Sequence, residues 1–108
     1  MNVVRLVGDL VFPVELRRTR TTGRTIGKAL IAVSNRVHGT CFVQITLKGD
    51  EAIDAAKYLG EASRVDVTGH IHSAYLADLD RRPRRVLYAI ADRVTYLTVR
   101  PFRGGVVQ

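Results

Sequence analysis

Alternation with a period of two constrains this chain more than any other feature. Cys41, Val43, Ile45 and Leu47 alternate with Phe42, Gln44, Thr46 and Lys48, and Val65, Val67, Gly69 and Ile71 alternate with Arg64, Asp66, Thr68, His70 and His72. Side chains that change faces at every residue mark strands with one buried and one wet side. An N-terminal run follows the same rule, with Val4, Leu6, Gly8, Leu10 and Phe12 on the inward parity, Arg5 and Asp9 on the other, and Pro13 as its end. Ile26 to Ser34 reads as the second strand, after an exposed loop from Arg17 to Thr25 and before a turn at Asn35 and Gly39. Val86 to Val99 reads as the fifth, after a turn from Leu76 to Arg85 that holds Asp80 and Pro83. Only one segment has helical spacing: Asp50 is a suitable N-cap, Glu51 and Asp54 suit the positive end of the dipole, and Ala52, Ala56 and Leu59 recur before Gly60. Three strands, a helix and two strands predict an all-β fold, a five-stranded Greek-key barrel of the OB type with one helix between strands 3 and 4.

The 108 residues, 46% of them apolar, suffice for one core and one domain, which the strand pattern bounds at residues 1–98 with a short flexible tail at 99–108. No apolar stretch is long enough to cross a bilayer and no secretory leader is visible, so the expected setting is cytoplasmic, at the nucleoid. Cys41 is the single cysteine; it has no disulfide partner and, on the inward parity, reads as a small core residue. The formal charge is +7, and its distribution is uneven. No acid occurs between Leu16 and Gly49, a span with Arg17, Arg18, Arg20, Arg24, Lys28, Arg36 and Lys48. Asp50, Glu51, Asp54, Glu61 and Asp66 then cluster, and Arg81, Arg82, Arg84 and Arg85 follow. Such segregation points to one positive and one negative surface, and to a polyanion on the positive one.

Of the polyanions, nucleic acid is the expected one, and a face that holds it requires cations along a backbone path and flat side chains on which bases can lie. Phe42 is the leading stacking candidate, because its same-face neighbours Gln44 and Lys48 are polar; Tyr75 is a second. Lys28, Arg36 and Lys48 lie on or beside the sheet, while Arg18, Arg20 and Arg24 in the first loop and Arg82, Arg84 and Arg85 in the second would form jaws beside it. His70 and His72 share a strand face at a spacing that suits a metal, but a third ligand is lacking, so they are read as base or phosphate contacts with no metal and no cofactor. Tyr58 reads as core or rim packing, and Tyr88 and Tyr96 as buried. Gly8 and Gly69 stand at inward positions where close packing or barrel bending calls for glycine. Val3, Val7 and Val11 form an outward apolar stripe that needs a partner, a second copy at least.

Residues 1–10, together with Glu15-Leu16-Arg17 and Thr19, resemble the opening of bacterial single-stranded DNA-binding proteins. Gly49 to Ala52, Ala56 to Leu59, Ser63, Val65, Val67, Gly69 and Ile71 are similar to that family's helix and fourth strand, and Asp92-Arg93-Val94, Tyr96 and Leu97 to its closing strand. The likeness implies an OB-fold homotetramer that coats single-stranded DNA in replication, recombination or repair, with possible replication or recombination proteins as partners. The sequence also departs from the pattern. It has no Trp; Val37, Lys48 and Leu76 stand where stacking rings are usual; the loop from Asn35 to Thr40 is short; and the acidic tail is missing from residues 99–108. These departures keep a second reading open, an OB-fold replisome or primosome accessory module that binds mainly a protein, with weak DNA contacts. An enzyme finds little support, because no carboxylates cluster with a base, and Asp78 and Asp80 read as turn residues.

Overall fold

The computed structural model describes residues 1–77 and 82–101. Its elements are β1 (Val4–Leu10), β2 (Glu15–Arg18), β3 (Thr25–Asn35), β4 (Gly39–Lys48), α1 (Gly49–Tyr58), β5 (Arg64–Ala77) and β6 (Pro83–Thr98). Strands β1, β5, β6, β4 and β3 pair in that order, and a short β1–β3 ladder closes the ring. This is the OB barrel, with its helix between β4 and β5. The expected first loop, Arg17 to Thr25, is shorter than its composition implies, since β2 takes Arg17 and Arg18 out of it, β3 takes Thr25, and Glu15 to Arg18 pair with Lys28 to Thr25 outside the ring.

Closure depends on glycine. A Cβ on Gly8 would stand 2.5 Å from the Ala32 carbonyl oxygen, so only glycine lets β1 approach β3 where Asp9 and Ala32 pair. A Cβ on Gly69 would stand 1.9 Å from the Ile90 carbonyl oxygen, next to a register shift in the β5–β6 ladder. Inside lie Leu10, Ala29, Ile31, Ile45, Leu47, Val65 and Val67, on β1, β4 and β5 the inward parity that alternation predicts, together with Ala89 and Ala91 of β6, which lie on the parity opposite to the expected one. Ala52 and Ala55 of α1 and Leu59 at its C-cap are buried in the same core. Truncating the fully buried Ile31 to Ala would cost about 2–5 kcal/mol.

Several local expectations change. The N-cap position is Lys48, with no side-chain cap, and Asp50 lies in the first turn of α1, where its charge still meets the helix dipole. Glu51 of α1 reaches β6 and accepts a hydrogen bond from the Val94 amide at 3.1 Å. β1 stops at Leu10, so Phe12 leaves the inward parity and is exposed, while Val14 is buried in its place. Cys41 is exposed and outside the core; it pairs with Val33 at the hairpin end of β3–β4, where inward parity no longer faces the barrel. Much of the expected turn from Leu76 to Arg85 is strand, since β5 continues through Ala77 and β6 resumes at Pro83. Asp78, Asp80 and Arg81 lie outside the described residues, as do residues 102–108 of the tail. Arg100 is tied to the body: its carbonyl accepts from the Gly60 amide and the Ser63 hydroxyl, and its own amide donates to that hydroxyl.

Candidate nucleic-acid interface

The β3–β4 register assembles one outward strip. Ile26 pairs with Lys48, Lys28 with Thr46, Leu30 with Gln44 and Ala32 with Phe42, so these side chains share the wet face of the barrel wall. Phe42 is 62% exposed, which leaves its ring outside the core on the face expected for stacking. Lys28, Lys48 and Gln44 are exposed beside it. Across β4, the parallel pairing of Thr46 with Ile90 carries the strip onto β6, and the pairing of His70 with Ile90 carries it onto β5.

On that extension the sequence reading missed a ring. Tyr88 pairs with His72 on the outer face and its ring centroid lies 6.1 Å from the histidine's, so Tyr88 is half-buried among surface side chains and not in the core. Two residues of β6, Ala91 and Arg93, face consecutive β5 positions, Gly69 and Thr68, and the extra residue between them is Asp92. That bulge inverts the parity, so Val94 and Tyr96 point inward while Tyr88 and Ile90 point outward. The adjacent polar residues Asp92 and Arg93, which interrupt the alternation, are the signal that locates it. Burial, then the nearby Asp54 and Glu51 carboxylates, push the Tyr96 phenol above its ordinary range. Asp92 Oδ2 also accepts a hydrogen bond from Nδ1 of His70 at 3.0 Å, and the His70 and His72 rings meet edge-on at 4.9 Å. Among the described residues no group of three or more His, Cys, Asp or Glu is arranged to hold a metal ion.

Ladder direction sets where the remaining candidates lie. Because β4 and β6 run parallel, the β3–β4 hairpin with Arg36 and the β5–β6 hairpin lie toward one end of the strands, and the β2–β3 loop with Arg20 and Arg24 toward the other. The two basic segments therefore flank the strip at opposite ends. The hairpin turn is a local design: Asn35 Oδ1 accepts from the Val37 and His38 amides at 2.9 and 3.2 Å, and Gly39 takes φ +78°. Tyr75, Arg82, Arg84 and Arg85 are exposed on the β5–β6 extension.

Charge balance separates these groups from other cations. Arg18, Arg20, Arg24, Lys28, Arg36 and Lys48 form no ion pair among the described residues, whereas Arg17 is bound to Glu15 at 2.8 Å. On the outer face of β1 and β5, Arg5 holds Asp66 through two hydrogen bonds of 3.1 and 2.7 Å, and Arg64 holds Asp9 through two of 2.8 and 3.3 Å. The acids thus do not collect on one negative surface: Asp66 lies on β5, away from the helical Asp50, Glu51 and Asp54 in the chain, and is paired with Arg5 of β1. What the β3–β4 strip and its flanks present is uncompensated positive charge beside an exposed ring.

The comparisons agree with this geometry. The sequence matches the Single-strand binding protein family over residues 1–97. It is 25% identical over 103 residues to Single-stranded DNA-binding protein 1 of Clostridium acetobutylicum, covering 90% of this chain and 94% of that protein. It is 28% identical over 102 residues to the Single-stranded DNA-binding protein of Clostridium tetani, covering 90% of this chain and 70% of that one. A closed OB barrel, an exposed ring on an unneutralised cationic strip and a family match that spans nearly every described residue converge: the chain belongs to the single-strand binding protein family.

Proposed function

We propose that this chain binds single-stranded DNA without strong sequence preference and without catalysis, through the outer β3–β4 strip. One observation carries the reading: Phe42 is exposed on the same strand face as Lys28, Gln44 and Lys48, and neither lysine has an ion-pair partner among the described residues. A flat ring accepts an unpaired base of any identity, and free cations release counterions from the backbone, so affinity follows strand character more than sequence. Arg18, Arg20, Arg24 and Arg36 extend the cationic path at the strip's two ends, with Arg82, Arg84, Arg85 and Tyr75 on the β5–β6 extension and His70 and His72 on its outer margin.

Replication, recombination and repair are the processes this activity serves, in the cytoplasm at the nucleoid, with replication or recombination proteins as further partners. Self-association fits the exposed Val3 and Val7 on the outer parity of β1, which would be covered in a dimer or a homotetramer. The test is titration of matched oligothymidine and duplex at two salt concentrations. Preferential, salt-sensitive binding of the single strand, weakened by Phe42→Ala, is expected. Equal affinity for both forms would favour the accessory-module reading, for which the exposed Leu76 and Leu87 are the supporting observation.

A further inference from the structure

Beyond Ile90 the strand β6 loses one neighbour. Ile45 of β4 pairs with Ala89 and Thr46 with Ile90, after which β4 ends at Lys48 and the chain passes into α1. From Ala91 to Thr98, β6 therefore has β5 as its one strand partner among the described residues. The helix stands at the edge that β4 leaves: the Val94 amide donates to Glu51 Oε2 at 3.1 Å. Strand alternation turns the Tyr96 peptide group to that same edge. Glu51, Asp54 and Tyr58 are spaced three and then four residues apart, so they share one flank of α1, the flank that meets β6.

The charge on this flank is unanswered. Neither Glu51 nor Asp54 forms an ion pair among the described residues. Lys57, the basic residue of the last helical turn, lies over the Tyr58 ring, 5.2 Å from its centroid, and that ring is 50% exposed. Across the groove the Tyr96 phenol is pushed above its ordinary range first by burial, then by Asp54, Glu51 and Tyr58, so both carboxylates and both phenols act on one another. Carboxylates beside tyrosine rings match a planar guanidinium, which takes charge-assisted hydrogen bonds at its edge and an aromatic face against its plane. The same negative charge repels a phosphate backbone, which separates this groove from the β3–β4 strip in the kind of ligand it fits. An open strand edge alongside suits an extended chain.

We propose that the groove between α1 and β6 is a docking site for an extended, arginine-bearing segment of a partner protein, which lies along the open edge of β6 and sets its guanidinium between Glu51, Asp54 and Tyr58. The site stands apart from the strip and does not depend on what the strip binds. Its test uses the full chain and a fluorescein-labelled hexapeptide of alternating arginine and valine, followed by anisotropy. A second peptide carries citrulline, the uncharged isostere, in place of arginine. The arginine peptide should bind saturably and the citrulline peptide more weakly. Glu51→Gln/Asp54→Asn removes both charges and keeps an acceptor for the Val94 amide; it should weaken the arginine peptide roughly tenfold, as should Tyr58→Ala. Phe42→Ala should leave peptide binding unchanged, and the Glu51→Gln/Asp54→Asn variant should bind oligothymidine at least as well as the parent. Absence of saturable binding by the parent chain, equal binding of the two peptides, or a double variant as good as the parent would each overturn the proposal. So would light scattering that shows the parent self-associating and the double variant at a lower mass, because the occupant would then be a second copy.

Discussion

The two outward walls of this barrel are built by the same rule and differ in how their charges are used. On β1 and β5, Arg5 and Arg64 are each held by two hydrogen bonds to Asp66 and Asp9, so the wall is electrically closed. On β3 and β4, Lys28 and Lys48 stand without an ion-pair partner among the described residues, beside an exposed Phe42. Net charge alone would assign both walls to a polyanion. Pairing distinguishes them: a cation already matched to carboxylate oxygens must give up those bonds to meet phosphate, and an unmatched one does not. The lesson is that the chain's +7 is less informative than the subset of cations the fold leaves unanswered.

The largest expected effect comes from the ring. Phe42→Ala should reduce affinity for oligothymidine by about 1–3 kcal/mol, measured by fluorescence anisotropy, with the fold unchanged because the side chain is outside the core. A smaller effect sharpens the boundary between the walls. Arg17 sits on β2 beside the strip but is bound to Glu15, so Glu15→Gln should release it and strengthen binding modestly at low salt, with the gain disappearing as salt rises.

Most of the barrel is legible in the sequence because a period of two is a local signal. The inward residues of β4 and β5 follow from alternation, as does the outward placement of Phe42, Gln44 and Lys48. The misplaced residues fail for identifiable reasons. Cys41 obeys the parity of β4, but burial also needs something opposite it, and closure of the ring is decided by how near β1 comes to β3 at Gly8. Tyr88 reads as inward in the sequence because one extra residue at Asp92 shifts the parity of β6, and a single insertion leaves little trace in a pattern of apolar residues. The division of cations into paired and unpaired was the least accessible. Arg64 and Asp9 are 55 positions apart, and only the β1–β5 register brings them together.

The weakest effect concerns stability. Arg64 hydrogen bonds hold the Asp9 carboxyl below its ordinary range, and Arg5 does the same for Asp66. A carboxyl with a folded value below its unfolded one contributes stability that is complete above the unfolded value and is lost as pH falls through the folded one. The parent chain should therefore exceed an Arg5→Gln/Arg64→Gln variant in thermal stability at about pH 6, and the difference should shrink in acid below about pH 4, the ordinary carboxylate range. Thermal melts by circular dichroism across that interval check the sign.

Salt dependence of oligothymidine binding, compared between two double variants with the same formal charge change, tests the central claim most directly. Lys28→Gln/Lys48→Gln should lower the magnitude of the slope of log affinity against log salt by about 1.4, two phosphate contacts at about 0.7 each on a single strand. Arg5→Gln/Arg64→Gln should leave the slope as it is in the parent chain. An unchanged slope in the lysine pair, or the larger loss in the arginine pair, would contradict the account.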